Sequence, residues 1–204
     1  MIPAPEALQR LREGNQRFVA GQSGDPRSFN QNRRDQLVSG QTPFAIILGC
    51  SDSRVPAELI FDQGLGDLFV IRVAGNIVAP SQIGSVEFSA DRHQTRLVVV
   101  LGHSQCGAVL ATLEELERPT ENRSPNLSSI VSRIQPAVEK LLQHGRTPDS
   151  DDMVSDAVRA NIEASVNDLR HGSEILEHLI EREGLLIIGA EYSLETGEVE
   201  FFQT

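Results

Sequence analysis

The chain has 204 residues, of which 39% are hydrophobic, and this length and composition suit a single domain with a sizeable core. Its formal net charge of −11 gives a surface that repels phosphate backbones, so we expect no nucleic-acid partner. No apolar stretch approaches the ~18 residues of a membrane span, and the N-terminus lacks a signal pattern, so we expect a cytoplasmic protein without membrane contact.

Residues 1–40 are predicted to form an N-terminal helical arm and a loop. Between residues 4 and 20, four apolar side chains share roughly one helical stripe: Leu8, Leu11, Phe18 and Val19. Such a helix packs either on its own domain or across a second subunit, and the pattern leaves both open. Residues 21–41 are polar and rich in arginine, which indicates a loop and a short helix.

Four short apolar runs are predicted to be buried parallel strands, because they have no polar face at either period. They cover residues 44–48, 68–73, 97–101 and 185–192. A Glu-Thr-Gly turn then leads to residues 199–202, which are predicted to add one antiparallel edge strand.

Helical patterns separate and follow these strands. They cover residues 81–93, 108–116, 129–143, 153–170 and 173–183, and Ser81 is predicted to be the N-cap of the first. We therefore predict an α/β fold with a mostly parallel sheet of four strands, one antiparallel edge strand and helices on both faces. Residues 1–204 are expected to form one domain, in which residues 41–204 are the metal-binding core.

Reactive side chains follow two of the predicted strands directly. Cys50, Asp52 and Arg54 come after the first strand, and His103 and Cys106 come after the third. In open parallel sheets, ligands bind at the carboxyl ends of the strands, most often where neighbouring strands send their connections to opposite faces. If the first and third strands are neighbours, these side chains converge on one site.

Two cysteines, one histidine and one aspartate form a ligand set typical of zinc. Zinc takes two thiolates and one imidazole, with a carboxylate or a water in the fourth tetrahedral position. Taken singly, each cysteine could equally be a small buried hydrophobic residue. A redox pair is disfavoured because there is no Cys-x-x-Cys motif. We predict one zinc ion per chain, bound by Cys50, His103 and Cys106, with Asp52 or a water as the fourth ligand.

These motifs resemble those of the β-class carbonic anhydrases. The resemblance rests on the Cys-Ser-Asp-Ser-Arg run at residues 50–54, the His-x-x-Cys run at residues 103–106 and the Gly-Asn pair at residues 75–76. It implies a zinc lyase that hydrates carbon dioxide reversibly to bicarbonate and a proton, by attack of zinc-bound hydroxide. It also implies a homodimer or a dimer of dimers, with the N-terminal helix laid across a second subunit.

Asp52 and Arg54 are predicted to act together as catalytic residues. The guanidinium of Arg54 can donate paired hydrogen bonds to the Asp52 carboxylate two residues earlier. This pairing would hold Asp52 off the metal and leave the fourth position open. The alternative is an ordinary surface ion pair.

The resemblance also implies a set of substrate-binding residues: Gln41, Phe69, Ala74, Phe88 and Gly107. The sequence alone favours an ordinary loop amide at Gln41, and core packing explains the two phenylalanines and Ala74 equally well. Phe88 also stands where many relatives have a tyrosine suggested to aid proton transfer, so that role lacks a hydroxyl here.

A second resemblance concerns an inhibitory bicarbonate pocket found in some relatives. Arg72 and Tyr192 match two positions of that pocket, but Ile47 stands where those relatives have a tryptophan. The resemblance therefore leaves such a pocket open.

Two other functions fit the same ligand set. The first is hydrolysis of carbonyl sulfide or carbon disulfide, as in some relatives, and assays with each substrate would distinguish it. The second is a non-catalytic zinc- or bicarbonate-binding protein, which requires a closed site with four protein ligands. Detectable hydration activity would eliminate that second alternative.

Overall fold

The computed structural model describes residues 2–24, 29–117, 124–143 and 152–202. Within them, one sheet is built from β1 (Ala45–Gly49), β2 (Leu68–Arg72), β3 (Leu97–His103), β4 (Leu186–Tyr192) and β5 (Val199–Phe202). The strand order is β2-β1-β3-β4-β5, with β1 to β4 parallel and β5 antiparallel to β4. The predicted fold class is confirmed.

Helices flank this sheet on both faces. In the described ranges they are α1 (Ala4–Val19), α2 (Gln31–Leu37), α3 (Ala57–Ile60), α4 (Pro80–Arg92), α5 (Gly107–Glu117), α6 (Pro125–Gln143), α7 (Met153–His171) and α8 (Glu174–Glu183). Helices α1 and α3 pack on one face of the sheet, and α4 to α8 pack on the other. None of the helices in these ranges is long and apolar enough to cross a membrane.

The two central strands are buried along their whole length, which explains their uniformly apolar sequences. Every residue of β1 and β3 is buried. Successive side chains point to opposite faces, so that Ile46 and Leu48 join the core under α4 to α8, whereas Ile47 joins the core under α1 and α3. A strand covered on both faces has no polar side to display.

The N-terminal helix packs on its own domain. Ala4, Ala7 and Leu11 are buried in the core under α1, and the Phe18 ring lies 6.5 Å from that of Tyr192. Val19, which the predicted stripe included, is 43% exposed. Own-domain packing is thus the arrangement found in this chain, and the contact with a second subunit stays a prediction.

Several predicted element ends differ from the structure; α6, for example, begins at Pro125, four residues before its predicted start. The prediction of Ser81 as an N-cap is wrong, because α4 begins at Pro80 and its cap position is Ala79. Proline suits the first helical position, since its fixed φ is helical and its missing N–H would have no partner there. Strand β3 extends past residue 101 to His103, because its ladder with β4 continues to the pair His103 and Tyr192.

Candidate metal centre

Cys50, His103 and Cys106 come together at the carboxyl ends of β1 and β3. Cys50 directly follows β1, His103 is the last residue of β3, and Cys106 precedes α5. The two strands are parallel neighbours, which is the condition on which the predicted convergence depended. The ligand atoms of the three side chains lie within 4.8 Å of one another, and all three residues are buried.

The His103 ring is held in the tautomer that suits a metal ligand. Its Nδ1 lies 2.9 Å from the carbonyl oxygen of Ser104, and a carbonyl can only accept, so Nδ1 carries the proton. Nε2 therefore keeps its lone pair, and it is buried without a hydrogen-bond partner among the described residues. A buried acceptor without a donor, beside two sulfur atoms, fits a cation that takes nitrogen and sulfur ligands.

The two thiols influence each other's ionisation. The hydrogen bond from Cys106 lowers the pKa of Cys50, with burial opposing this and contacts with His103 and the Gly75 N–H contributing in the same direction. The same hydrogen bond, together with burial, raises the pKa of Cys106. One thiolate therefore forms readily, and the second proton would leave when a cation binds, because metal coordination deprotonates thiols.

Asp52 is paired with Arg54 as predicted. Nε of Arg54 donates to Oδ1 of Asp52 at 2.9 Å, and Nη2 donates to Oδ2 at 2.7 Å. The backbone N–H of Arg54 also donates to Oδ1 at 2.9 Å. These bonds, the side-chain ones foremost, hold the pKa of Asp52 well below its usual range although burial opposes the shift. The carboxylate remains charged, and its Oδ2 lies 3.9 Å from Nε2 of His103.

A second arginine supports the loop that carries Cys50 and Asp52. Nε of Arg72 donates to the carbonyl oxygen of Cys50 at 3.0 Å, and Nη2 donates to that of Asp52 at 2.6 Å. The sequence did not predict this contact, although a lone charge at the end of an apolar strand is a usable signal. Arg72 thus fixes the backbone from which both side chains project.

The predicted substrate-binding residues fall into two groups. Ala74 and Gly107 adjoin the cluster, since Ala74 precedes Gly75, whose N–H donates to Cys50 Sγ at 3.4 Å, and Gly107 follows Cys106.

Gln41, Phe69 and Phe88 form the second group, and the structure does not bring them to the cluster within this chain. Gln41 is exposed and precedes β1, so it lies towards the opposite edge of the sheet. Phe69 pairs with Ile46, three residues or about 10 Å before the end of β1. Its ring lies 6.2 Å from that of Phe88, which is 51% exposed. Phe69 itself is partly buried against the core under α4 to α8.

Comparison with known proteins identifies relatives along most of the chain. The family model described as carbonic anhydrase matches residues 45–199. Carbonic anhydrase 2 of Mycobacterium tuberculosis is 40% identical, and the alignment covers 94% of this chain and 89% of that protein. The carbonic anhydrase of Mycolicibacterium smegmatis is 38% identical, with 95% and 91% covered.

Solved structures agree with this fold. Among them is one of the two tetrameric β-carbonic anhydrases of Sordaria macrospora, with a TM-score of 0.75 at 23% identity, covering 86% of this chain and 88% of that one. At this identity the likeness concerns the fold alone.

Proposed function

Since this chain belongs to the β-carbonic anhydrase family, we propose that it catalyses the zinc-dependent, reversible hydration of carbon dioxide to bicarbonate and a proton. The observation that carries the proposal is the buried cluster of Cys50, His103 and Cys106, whose ligand atoms lie within 4.8 Å of one another. The paired Asp52 and Arg54 beside it supply the remaining polar groups.

Zinc is the metal that this donor set suits best. Two cysteine sulfurs and one imidazole nitrogen match its preference, and the proton on His103 Nδ1 leaves Nε2 free to coordinate. Bound there, zinc would lower the pKa of a coordinated water so that a nucleophile is available near neutral pH. A general base alone supplies only about 10²- to 10⁴-fold acceleration.

The protein's own residues orient that nucleophile. Arg54 engages both oxygens of Asp52, so the carboxylate is turned towards the guanidinium and is not free to act as a fourth ligand. Because Asp52 stays ionised, it can only accept hydrogen bonds, which makes it suited to orient an O–H group beside His103. Arg72 keeps the loop from shifting, since it holds the carbonyls of Cys50 and Asp52.

We further propose a homodimer or a dimer of dimers in which each subunit completes its partner's site. Gln41, Phe69 and Phe88 lie away from their own chain's metal ligands, so a second subunit offers the route by which they reach substrate. The tetrameric relatives from Sordaria macrospora support an oligomer. Free buried cysteines suit the reducing cytoplasm, which we propose as the location.

Stopped-flow measurement of carbon dioxide hydration by the zinc-loaded protein tests this function. We expect hydration activity that is lost on zinc removal and restored on zinc addition. Turnover of carbonyl sulfide or carbon disulfide without hydration would instead assign the chain to those substrates. Full zinc occupancy with neither activity would identify a non-catalytic zinc protein.

A further inference from the structure

A short turn, Ala74–Asn76, connects the metal cluster to the helical layer. Gly75 and Asn76 both have positive φ, at 70° and 44°, a conformation that asparagine adopts at some cost. In this conformation the backbone N–H of Gly75 donates to Cys50 Sγ at 3.4 Å. The turn therefore presents a backbone donor to one proposed metal ligand, and its shape decides whether that donor reaches the sulfur.

Helix α7 holds this turn by its two carbonyl groups. Nδ2 of Asn161 donates to the carbonyl oxygen of Gly75 at 2.8 Å, and Oγ of Ser165 donates to that of Asn76 at 3.0 Å. Asn161 and Ser165 lie four residues apart on one helix face and are only 2% and 3% exposed. A polar side chain buried on the core face of a helix is costly unless it is bonded.

The opposite side of the turn is closed by packing. A Cβ atom at Gly75 would lie 2.8 Å from Cδ1 of Ile134 and 3.0 Å from Cβ of Ala108. Helix α7 also packs closely against β3, the strand that ends at His103. A Cβ atom at Gly102, the residue before His103, would lie 2.5 Å from Cδ1 of Ile162 in α7. The turn is thus confined between α5, α6 and α7, and α7 orients the carbonyls of Gly75 and Asn76.

We propose that Asn161 and Ser165 are positioning residues of the metal centre. They fix the left-handed turn so that the Gly75 N–H donates to the Cys50 sulfur, and this bond limits the electron density that the sulfur gives to the metal. The inference rests on the proposed zinc site and extends it to residues 86 and 89 positions away from the carbonyls they bind. Partners of metal ligands tune both affinity and electronic character in this way.

Ser165→Ala and Asn161→Ala test the inference, because each leaves one carbonyl of the turn without its donor. With the cobalt-substituted protein, we expect the sulfur-to-cobalt charge-transfer band to move to longer wavelength as the Gly75 N–H bond weakens. Zinc affinity, measured by chelator competition, should fall about 10- to 100-fold, because the loss of preorganisation and of the N–H that stabilises the Cys50 thiolate outweighs the stronger sulfur donation. Ser165→Thr keeps the hydroxyl and should restore the band position.

Ser89→Ala is the matched control. Ser89 is a fully buried helical serine whose hydroxyl contacts Thr95, before β3 begins and at the end of the sheet opposite the metal cluster. We expect it to lower stability as Ser165→Ala does, while the charge-transfer band stays in place and zinc affinity stays within about twofold.

Two results would overturn the inference without touching the proposed function. One is a wild-type band position and zinc affinity in both alanine variants, alongside the stability loss seen for Ser89→Ala. The other is a band shift in Ser165→Ala that Ser165→Thr leaves uncorrected. If Asn161→Ala does not fold, the serine variants alone decide. A wild-type protein that binds no zinc would instead contradict the proposed function itself.

Discussion

Arg54 determines which way the Asp52 carboxylate faces, because three of its N–H groups donate to the two carboxylate oxygens. The geometry is bidentate, which lysine cannot reproduce with its single ammonium group. Asp52 nevertheless lies close enough to His103, at 3.9 Å, to matter for any metal held there. At the scale of single residues, the site therefore depends both on the candidate metal ligands and on Arg54, which restrains the neighbouring Asp52.

Cys106→Ser should lower zinc content below one ion per chain and abolish carbon dioxide hydration, because a serine hydroxyl is a poor zinc ligand at neutral pH. Metal analysis and stopped-flow assays measure the two effects. Ser53→Ala, an exposed change in the neighbouring loop, is the control and should retain both. Full zinc occupancy with normal turnover in Cys106→Ser would refute the assignment of this ligand.

Arg54→Ala should release Asp52 to coordinate zinc and silence the enzyme, since the carboxylate loses its bidentate partner. Zinc X-ray absorption reports this as carboxylate carbon scattering beyond the first shell, which a water ligand lacks. Arg54→Lys should show an intermediate effect because it keeps the charge but not the fork. Retained activity with an unchanged zinc shell in Arg54→Ala would show that Arg54 does not control the fourth ligand.

Helix α7 packs on strands β4 and β5, and a small residue and several charged residues at this contact affect the stability of the protein. Gly189 on β4 lies between Phe202 of β5 and Ile162 of α7. Glu191 lies directly opposite Glu200 in the antiparallel ladder, while Arg159 of α7 reaches Glu200 at 3.2 Å. At the scale of elements, close packing and cross-strand charge both affect the stability of the same edge of the sheet, where β5 pairs with β4.

Gly189→Ala should destabilise the protein by about 1 to 3 kcal/mol, because its Cβ would lie 2.5 Å from Cε2 of Phe202. Gly84→Ala is the opposite case, since Gly84 lies within α4 with no atom within 4 Å of an added Cβ. It should stabilise by up to about 1 kcal/mol through helix propensity. Denaturant unfolding gives both values, and equal effects of the two changes would contradict the packing argument.

Glu191→Gln should stabilise the protein most at neutral and alkaline pH. Burial foremost raises the pKa of Glu191 in the folded state, and Glu200 adds to the shift while Arg159 opposes it. A carboxyl group with a raised folded pKa costs stability above that pKa, and the cost disappears as pH falls towards the unfolded value. The gain from Glu191→Gln should therefore shrink on acidification. A gain that grows at acid pH would show the opposite sign of shift.

At the scale of the whole molecule, a single chain does not bring all the proposed site residues together. The metal ligands lie at the carboxyl edge of the sheet, whereas Gln41 precedes β1 and Phe69 lies three residues before the strand end. An assembly in which partners exchange these residues accounts for both positions.

Mixing a variant that lacks the metal site with a variant that lacks the substrate contact tests this exchange. Cys106→Ser destroys the metal site, and Gln41→Ala should lower activity several-fold by removing a substrate contact. After subunit exchange at equal concentrations, about half of the dimers are mixed, and each regains one complete site, so activity should approach about a quarter of wild type. If Gln41 serves its own chain, mixing restores nothing.

Sedimentation of the wild type should show a dimer or larger species, and a fully active monomer at micromolar concentration would contradict the assembly.

The chain order of strands and helices could be predicted because apolar periodicity is local. The runs without a polar face form β1 and β3, and the segment after the Glu-Thr-Gly turn forms β5. The prediction of Ser81 as the N-cap was wrong because Pro80, one residue earlier, takes the first helical position. The residue types of the candidate ligands could also be predicted. The closeness of His103 and Cys106 followed as well, because the two residues are only three positions apart in the chain.

Only the tertiary structure decided which distant segments support the metal centre. The sequence by itself predicted the candidate ligands, the mostly parallel sheet and the pairing of Asp52 with Arg54, because side-chain chemistry, apolar runs and a two-residue spacing are local features. It did not reveal that Arg72 binds the carbonyl of Cys50, or that Asn161 and Ser165 bind the turn after β2. Those contacts join residues 22 to 89 positions apart, and their hydrogen bonds form only after the chain has packed into layers.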